Sequence, residues 1–119
     1  APMGPLVVGG FSQGGAMAQE MLQLPMADRI IGVIAIGTRL VRGMELGLRL
    51  AELDPKHLFW MHGERDVRVS IQDGWAVAHT FEAAGWALEL IEHPKGHMIP
   101  MEHHDALKEW LVALRQVGL

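Results

Sequence analysis

Only two serines occur in the 119-residue chain, and one of them, Ser12, stands in the run Gly10-Phe11-Ser12-Gln13-Gly14. A G-x-S-x-G run suits a nucleophilic serine held on a sharp turn between a strand and a helix. Glycine on either side removes the Cβ atoms that would clash in so tight a bend. The following helix would put its amino terminus behind the serine, where it favours developing negative charge. The N–H of Gln13 would then point to the place where an oxyanion forms. A blander reading is a plain strand-to-helix turn, in which Gly15 and Ala16 only allow close packing of helix on sheet.

A serine hydroxyl needs a base, and the base needs an acid to orient it. His97 follows an apolar segment in His93-Pro94-Lys95-Gly96-His97, and Asp66 follows an earlier one in His62-Gly63-Glu64-Arg65-Asp66. Glu64 is a rival acid, two residues nearer its strand. Asp66 could also be a turn residue paired with Arg65 or Arg68, and a loop histidine is more often solvated than reactive. The chain order Ser, Asp, His is nonetheless the order of an elbow nucleophile and its partners.

These groups meet only if the intervening elements carry them to one edge. Leu6 to Phe11, Ile30 to Ile36, His57 to His62 and Trp86 to His93 read as strands. The middle two are continuously apolar, as in a sheet buried on both faces. Gln13 to Leu24 reads as a helix with Met17, Met21 and Leu24 on its apolar stripe. Arg39 to Asp54 reads as a loop with a short helix. Ser70-Ile71-Gln72-Asp73 fits a capping box opening a helix that stops at Gly85. His104 to Val117 reads as a last helix with Leu107, Trp110, Leu111 and Leu114 inward. Alternation of this kind predicts about four parallel strands flanked by helices, a three-layer α/β/α arrangement in one domain, residues 1–119. Ligands in such sheets bind at the carboxyl ends of the strands, where Ser12, Asp66 and His97 all fall.

Composition removes several classes of function. Half of the residues are apolar and 20% are charged, which excludes a disordered chain. Cysteine is absent, so disulfides and thiolate chemistry are excluded. A net charge of −4 leaves no basic surplus to neutralise phosphates, which argues against nucleic acid. His93, His97, His103 and His104 invite a zinc reading, but Pro94 and Gly96 break any helical pairing and no H-E-x-x-H occurs, so no metal is expected. No phosphate-loop or dinucleotide glycine pattern is present. The opening residues from Ala1 lack a basic leader, and no apolar run approaches the roughly 18 residues of a membrane helix, so the expectation is a cytoplasmic protein without a membrane span.

The motifs together resemble the second half of an α/β-hydrolase, in particular the carboxylesterase/phospholipase family that includes acyl-protein thioesterases. Gly9 to Ala18 is similar to that family's nucleophile segment, and Ile34 to Leu40 to its next strand and exit. His62-Gly63-Glu64-Arg65-Asp66-Val67-Arg68-Val69 resembles its acid-bearing motif, and Ala83-Ala84-Gly85 and Gly96-His97 its late helix end and histidine loop. The resemblance implies a truncated α/β-hydrolase core in which Ser12 is the nucleophile, His97 the base and Asp66, over Glu64, the acid. It implies cleavage of short to medium acyl esters without a cofactor. Gln13 would supply one oxyanion N–H; the loop that supplies a second lies in family segments that precede the nucleophile strand. Leu40 and Met98, with Val41, Met44, Leu46 and Ile99, are expected near the acyl group or packed as plain loop residues. The outer edge of Leu6–Phe11 is left unpaired, so a homo-oligomer is expected. The contrasting expectations are an interaction module that keeps the triad letters, or one half of a two-chain enzyme.

Overall fold

A computed structural model describes residues 4–118. The opening Ala1 to Met3, read above for a leader, lies outside them. Four strands, β1 (Leu6–Phe11), β2 (Ile30–Ile36), β3 (His57–Gly63) and β4 (Ala87–His93), form a single parallel sheet in the order β1-β2-β3-β4. Each of the three pairings is parallel, with Val8 beside Val33, Ile34 beside Phe59 and Met61 beside Ile91. Four helices accompany them: α1 (Gln13–Met21), α2 (Gly43–Glu52), α3 (Ile71–Ala83) and α4 (His104–Gly118).

A parallel chain that steps one strand at a time across a sheet, always with the same crossover hand, puts its connecting helices on one face. That is the arrangement found. Ala18 and Leu22 at α1, Leu46 and Leu50 of α2, and Val77, Ala78 and Phe81 of α3 share one core cluster with Val33, Leu58 and Trp60. Leu107 and Trp110 of α4 cover the other face, against Ile36, Phe59 and Met61. β3 is the centre of both cores: Leu58, Phe59, Trp60 and Met61 are all fully buried. The buried indole of Trp60 donates to the carbonyl of Gly74, 2.8 Å away.

Helix ends follow local chemistry. The Ser70 hydroxyl accepts from the N–H of Asp73 at 3.1 Å, the expected cap of α3. Gly85, at φ +86°, ends that helix in a conformation that a side chain disfavours.

The inward face of α1 differs from its apolar stripe. Met17 is 68% exposed and Leu24 46%, whereas Gly15, Ala18, Gln19 and Leu22 are buried. The start of the helix sits so close to the exit of β2 that Gly15 has no room for a side chain: a Cβ there would lie 2.8 Å from the Thr38 methyl. α1 also ends at Met21, and a 3-10 turn over Pro25–Arg29 completes the connection to β2. At the other end of the sheet, Leu90 remains 40% exposed because β4 is an edge strand with only partial helix cover. β1 is the opposite edge, and among the described residues no strand pairs with its outer side. No helix among the described residues is long and apolar enough to cross a membrane.

Candidate active site

Ser12 occupies the one-residue step between β1 and α1 with φ +57° and ψ −114°. A non-glycine residue at such a φ is strained, and strain of this kind persists only where its surroundings hold it. Here the Ser12 N–H donates to the carbonyl of Ile36 at 2.7 Å, extending the β1–β2 ladder, and its own carbonyl accepts from Gly15 and Ala16 at 3.1 and 3.2 Å. Gln13 is the first residue of α1, so its N–H is one of the donors that the helix leaves free.

Asp66 lies just beyond β3 in a tight loop. Its Oδ1 accepts from the N–H groups of Arg68 and Val69, each at 2.8 Å. Its Oδ2 lies 2.6 Å from Nδ1 of His97. Burial alone would raise this carboxyl. The Val69 N–H, the His97 ring and the Arg68 N–H outweigh burial and hold the carboxyl below its ordinary value of 3.8. An ionised carboxylate only accepts, so Nδ1 of His97 carries the proton and donates. The opposite nitrogen, Nε2, is then free to accept, and Ser12 Oγ lies 3.1 Å from it. Glu64, the rival acid, is exposed.

The loop after β4 that carries His97 is held at several points. Glu64 N–H donates to His93 O at 2.8 Å and Arg65 N–H to Lys95 O at 3.1 Å, so the acid loop and the histidine loop are laced together. The Phe11 ring lies 4.6 Å from that of His97, at 44°. Beneath the imidazole is Gly37, at φ +59°, where a Cβ would stand 3.4 Å from the ring and 3.1 Å from Phe11.

An open cleft of about 400 Å3 adjoins the serine, lined by Ser12, Gln13, Ala16, Gly37, Thr38, Arg39, Val41 and Val69. Leu40 and Met98 do not border this cleft. Leu40 points inward against the first core cluster, close over Gly43 at the start of α2. Met98 is on the histidine loop, 42% exposed and outside the cleft lining. Among the described residues, no group of three or more acidic or histidine side chains is disposed to hold a metal ion.

Three further residues support the site without having been singled out for a role by the sequence. Gln19, buried inside α1, donates from Nε2 to Arg39 O and accepts at Oε1 from Val41 N–H, both at 2.8 Å. It thereby fixes the wall of the cleft. His62, fully buried, lies 2.8 Å from the Val69 carbonyl, so its Nε2 donates there and secures the far end of the Asp66 loop. The same Nε2 is 3.6 Å from Asp66 Oδ2. Thr38 lines the cleft beside them. A signal for His62 existed in its place before Gly63; Gln19 had none beyond being polar on a small-residue helix face.

A parallel sheet flanked by helices, with a strained serine at the strand-to-helix step and a histidine and an aspartate on later loops of the same rim, defines an α/β-hydrolase. The particular family follows from comparison. The sequence pattern of the phospholipase/carboxylesterase family matches residues 2–114, and the chain belongs to that family. Acyl-protein thioesterase 1 of Neurospora crassa is 31% identical over 92% of this chain and 46% of its own length. Among solved structures, acyl-protein thioesterase 2 of Zea mays superposes with a TM-score of 0.74 at 22% identity, over 92% of this chain and 56% of the other. A Bacillus cereus carboxylesterase gives 0.73 at 21% identity, over 92% and 50%. The chain thus spans about half the length of the relatives it matches.

Proposed function

We propose that this chain carries the reacting centre of a serine carboxylesterase or thioesterase acting on short to medium acyl esters. Ser12 Oγ attacks the acyl carbon while Nε2 of His97 takes the hydroxyl proton. His97 returns that proton to the leaving alcohol or thiol as the tetrahedral intermediate collapses. Water, activated by the same imidazole, then releases the carboxylic acid from Ser12. Asp66 holds the imidazole in the accepting tautomer and balances its charge once protonated. The Gln13 N–H stabilises the oxyanion. The observation that carries the reading is the hydrogen-bonded chain from Ser12 through His97 to Asp66, 3.1 and 2.6 Å, on a strained serine.

The same proposal places the 119 residues in one domain, in the cytoplasm, and has the open edge of β1 covered by a second copy of the chain. A second reading has the remainder of the fold, with the second oxyanion donor, supplied by another polypeptide. One missing donor reduces turnover by about 10²–10³-fold. A fluorophosphonate probe separates these readings. Labelling at Ser12 of the isolated chain, lost in Ser12→Ala with the fold retained, supports a self-sufficient enzyme. Labelling only after the missing half is added supports the two-chain form. No labelling in either state removes the proposal and leaves an interaction module.

A further inference from the structure

We infer that the cleft beside Ser12 takes an acyl group ending in a carboxylate, with Arg39 as its counter-ion. The inference rests on the esterase reading above and names the substrate class of that same cleft.

The lining carries the argument. Eight residues border the cleft, and the only charged one is a cation, Arg39. This is against the trend of the chain, which has 14 acidic residues to 10 basic ones. Arg42 is paired with Glu20 at 2.6 Å, and Arg49 with Glu52 at 3.5 Å. Arg39, exposed at the cleft, makes no ion pair or side-chain hydrogen bond with any described residue. Its backbone is nonetheless anchored, because the buried Gln19 amide holds the Arg39 carbonyl and the Val41 N–H. The guanidinium therefore extends from a fixed stem. Beside it Thr38, 2% exposed and lining the same cleft, has a hydroxyl with no hydrogen-bond partner among the described residues. The free N–H groups at the start of α1 add positive potential to the same wall. A guanidinium presents a planar pair of donors that matches a carboxylate. Apart from Gln13 the remaining walls are small or aliphatic, with Ala16, Val41 and Val69, and suit a short methylene spacer between the scissile carbonyl and the anion.

The test uses the p-nitrophenyl half-ester of glutaric acid against neutral p-nitrophenyl valerate. The half-ester is expected to have a kcat/KM roughly tenfold above that of valerate at low salt, a preference that shrinks as ionic strength rises. In Arg39→Gln the ratio between the two esters falls by about tenfold, through KM, and Arg39→Lys restores part of it. A binding arm needs no turnover: monoethyl glutarate added to the Ser12→Ala chain perturbs cleft amide resonances, and the perturbation is lost when Arg39→Gln is added. Equal kcat/KM for the two esters in the parent chain, or binding of monoethyl glutarate indifferent to Arg39→Gln, overturns the anion site. Failure of the esterase reading is read separately, as absence of Ser12 labelling.

Discussion

Gln19 and Arg39, one inside α1 and the other beyond β2, are joined by a 2.8 Å hydrogen bond from side-chain amide to backbone carbonyl. The same amide takes the Val41 N–H at 2.8 Å, so one side chain replaces the two backbone partners that a chain leaving a sheet loses. The wall of the cleft is thereby tied to the helix whose first turn bears the serine. Gln19→Leu keeps the volume and removes both bonds. With a carbonyl and an N–H left unpaired near the core, stability is expected to fall by about 1–3 kcal/mol. A denaturant titration reads that loss. Slower fluorophosphonate labelling at unchanged Ser12 is expected to accompany it, and an unchanged unfolding midpoint would contradict the role assigned to the amide.

Asp66→Asn separates charge from position. Asn Oδ1 can still accept from Arg68 and Val69, so the loop is expected to stay in place. The group facing Nδ1 of His97 becomes an NH2 donor, so the imidazole no longer keeps its proton on that side. Turnover is expected to fall by about 10⁴-fold, with the melting temperature changed far less than the rate. Rate and melting temperature measured on one preparation check this.

Gly37→Ala tests the floor under His97. Alanine at φ +59° is strained by about 1–2 kcal/mol, and its methyl would meet the Phe11 and His97 rings at 3.1 and 3.4 Å. The Phe11 ring must give by a few tenths of an ångström, and it packs on the imidazole. A melting temperature several degrees lower is expected, together with slower labelling. Labelling at the parent rate would mean that the ring has room which the packing does not provide.

Stability should fall with acidity in two stages. Burial, and then the neighbouring His103, hold His93 below its ordinary 6.5, and its Nδ1 accepts from the Lys95 N–H at 3.2 Å. Below pH 6.5 the unfolded chain binds a proton that the folded chain refuses, so stability declines as pH drops through that value. Asp66 is held below 3.8, so the stability it contributes is present above that value and is lost as pH falls through the lower folded value. Thermal melts across this range are expected to show both declines, the first of them reduced in His93→Gln.

The outer edge of β1, unpaired among the described residues, gives a prediction about assembly. A strand edge with free N–H and C=O groups associates unless something blunts it. Val7 on that strand is 38% exposed. Sedimentation at micromolar concentration is expected to give a mass above that of a single chain, and Val7→Lys to lower it. A stable monomer in the parent protein would exclude pairing of copies through this strand.

Much of this arrangement is legible in the linear sequence, for local reasons. The β-branched run Ile30–Ile36 can be little else than a buried strand, and it is β2. Ser70 announces its cap, and Gly85 its stop. Glycines around Ser12 announce a bend that other residues could not follow. The inward face of α1 is different. An apolar stripe through Met17 and Leu24 satisfies periodicity, yet those side chains face water while Gly15 and Gln19 face the sheet. How near a helix lies to its sheet is a property of the whole packing, and only that packing turns a glycine and a hydrogen-bonded glutamine inward.

The same division holds for the candidate site. Residue types and chain order alone single out a hydroxyl, an imidazole and a carboxylate on loops at one rim. Their distances and the tautomer of His97 depend on donors from Arg68 and Val69 and on the lacing of two loops. So does the cleft wall, which takes in Arg39 and Val41 and turns Leu40 toward the core. Backbone preferences act over a few residues and can be read along the chain. Hydrogen-bond partners drawn from residues tens of positions apart exist only once the sheet has brought them together.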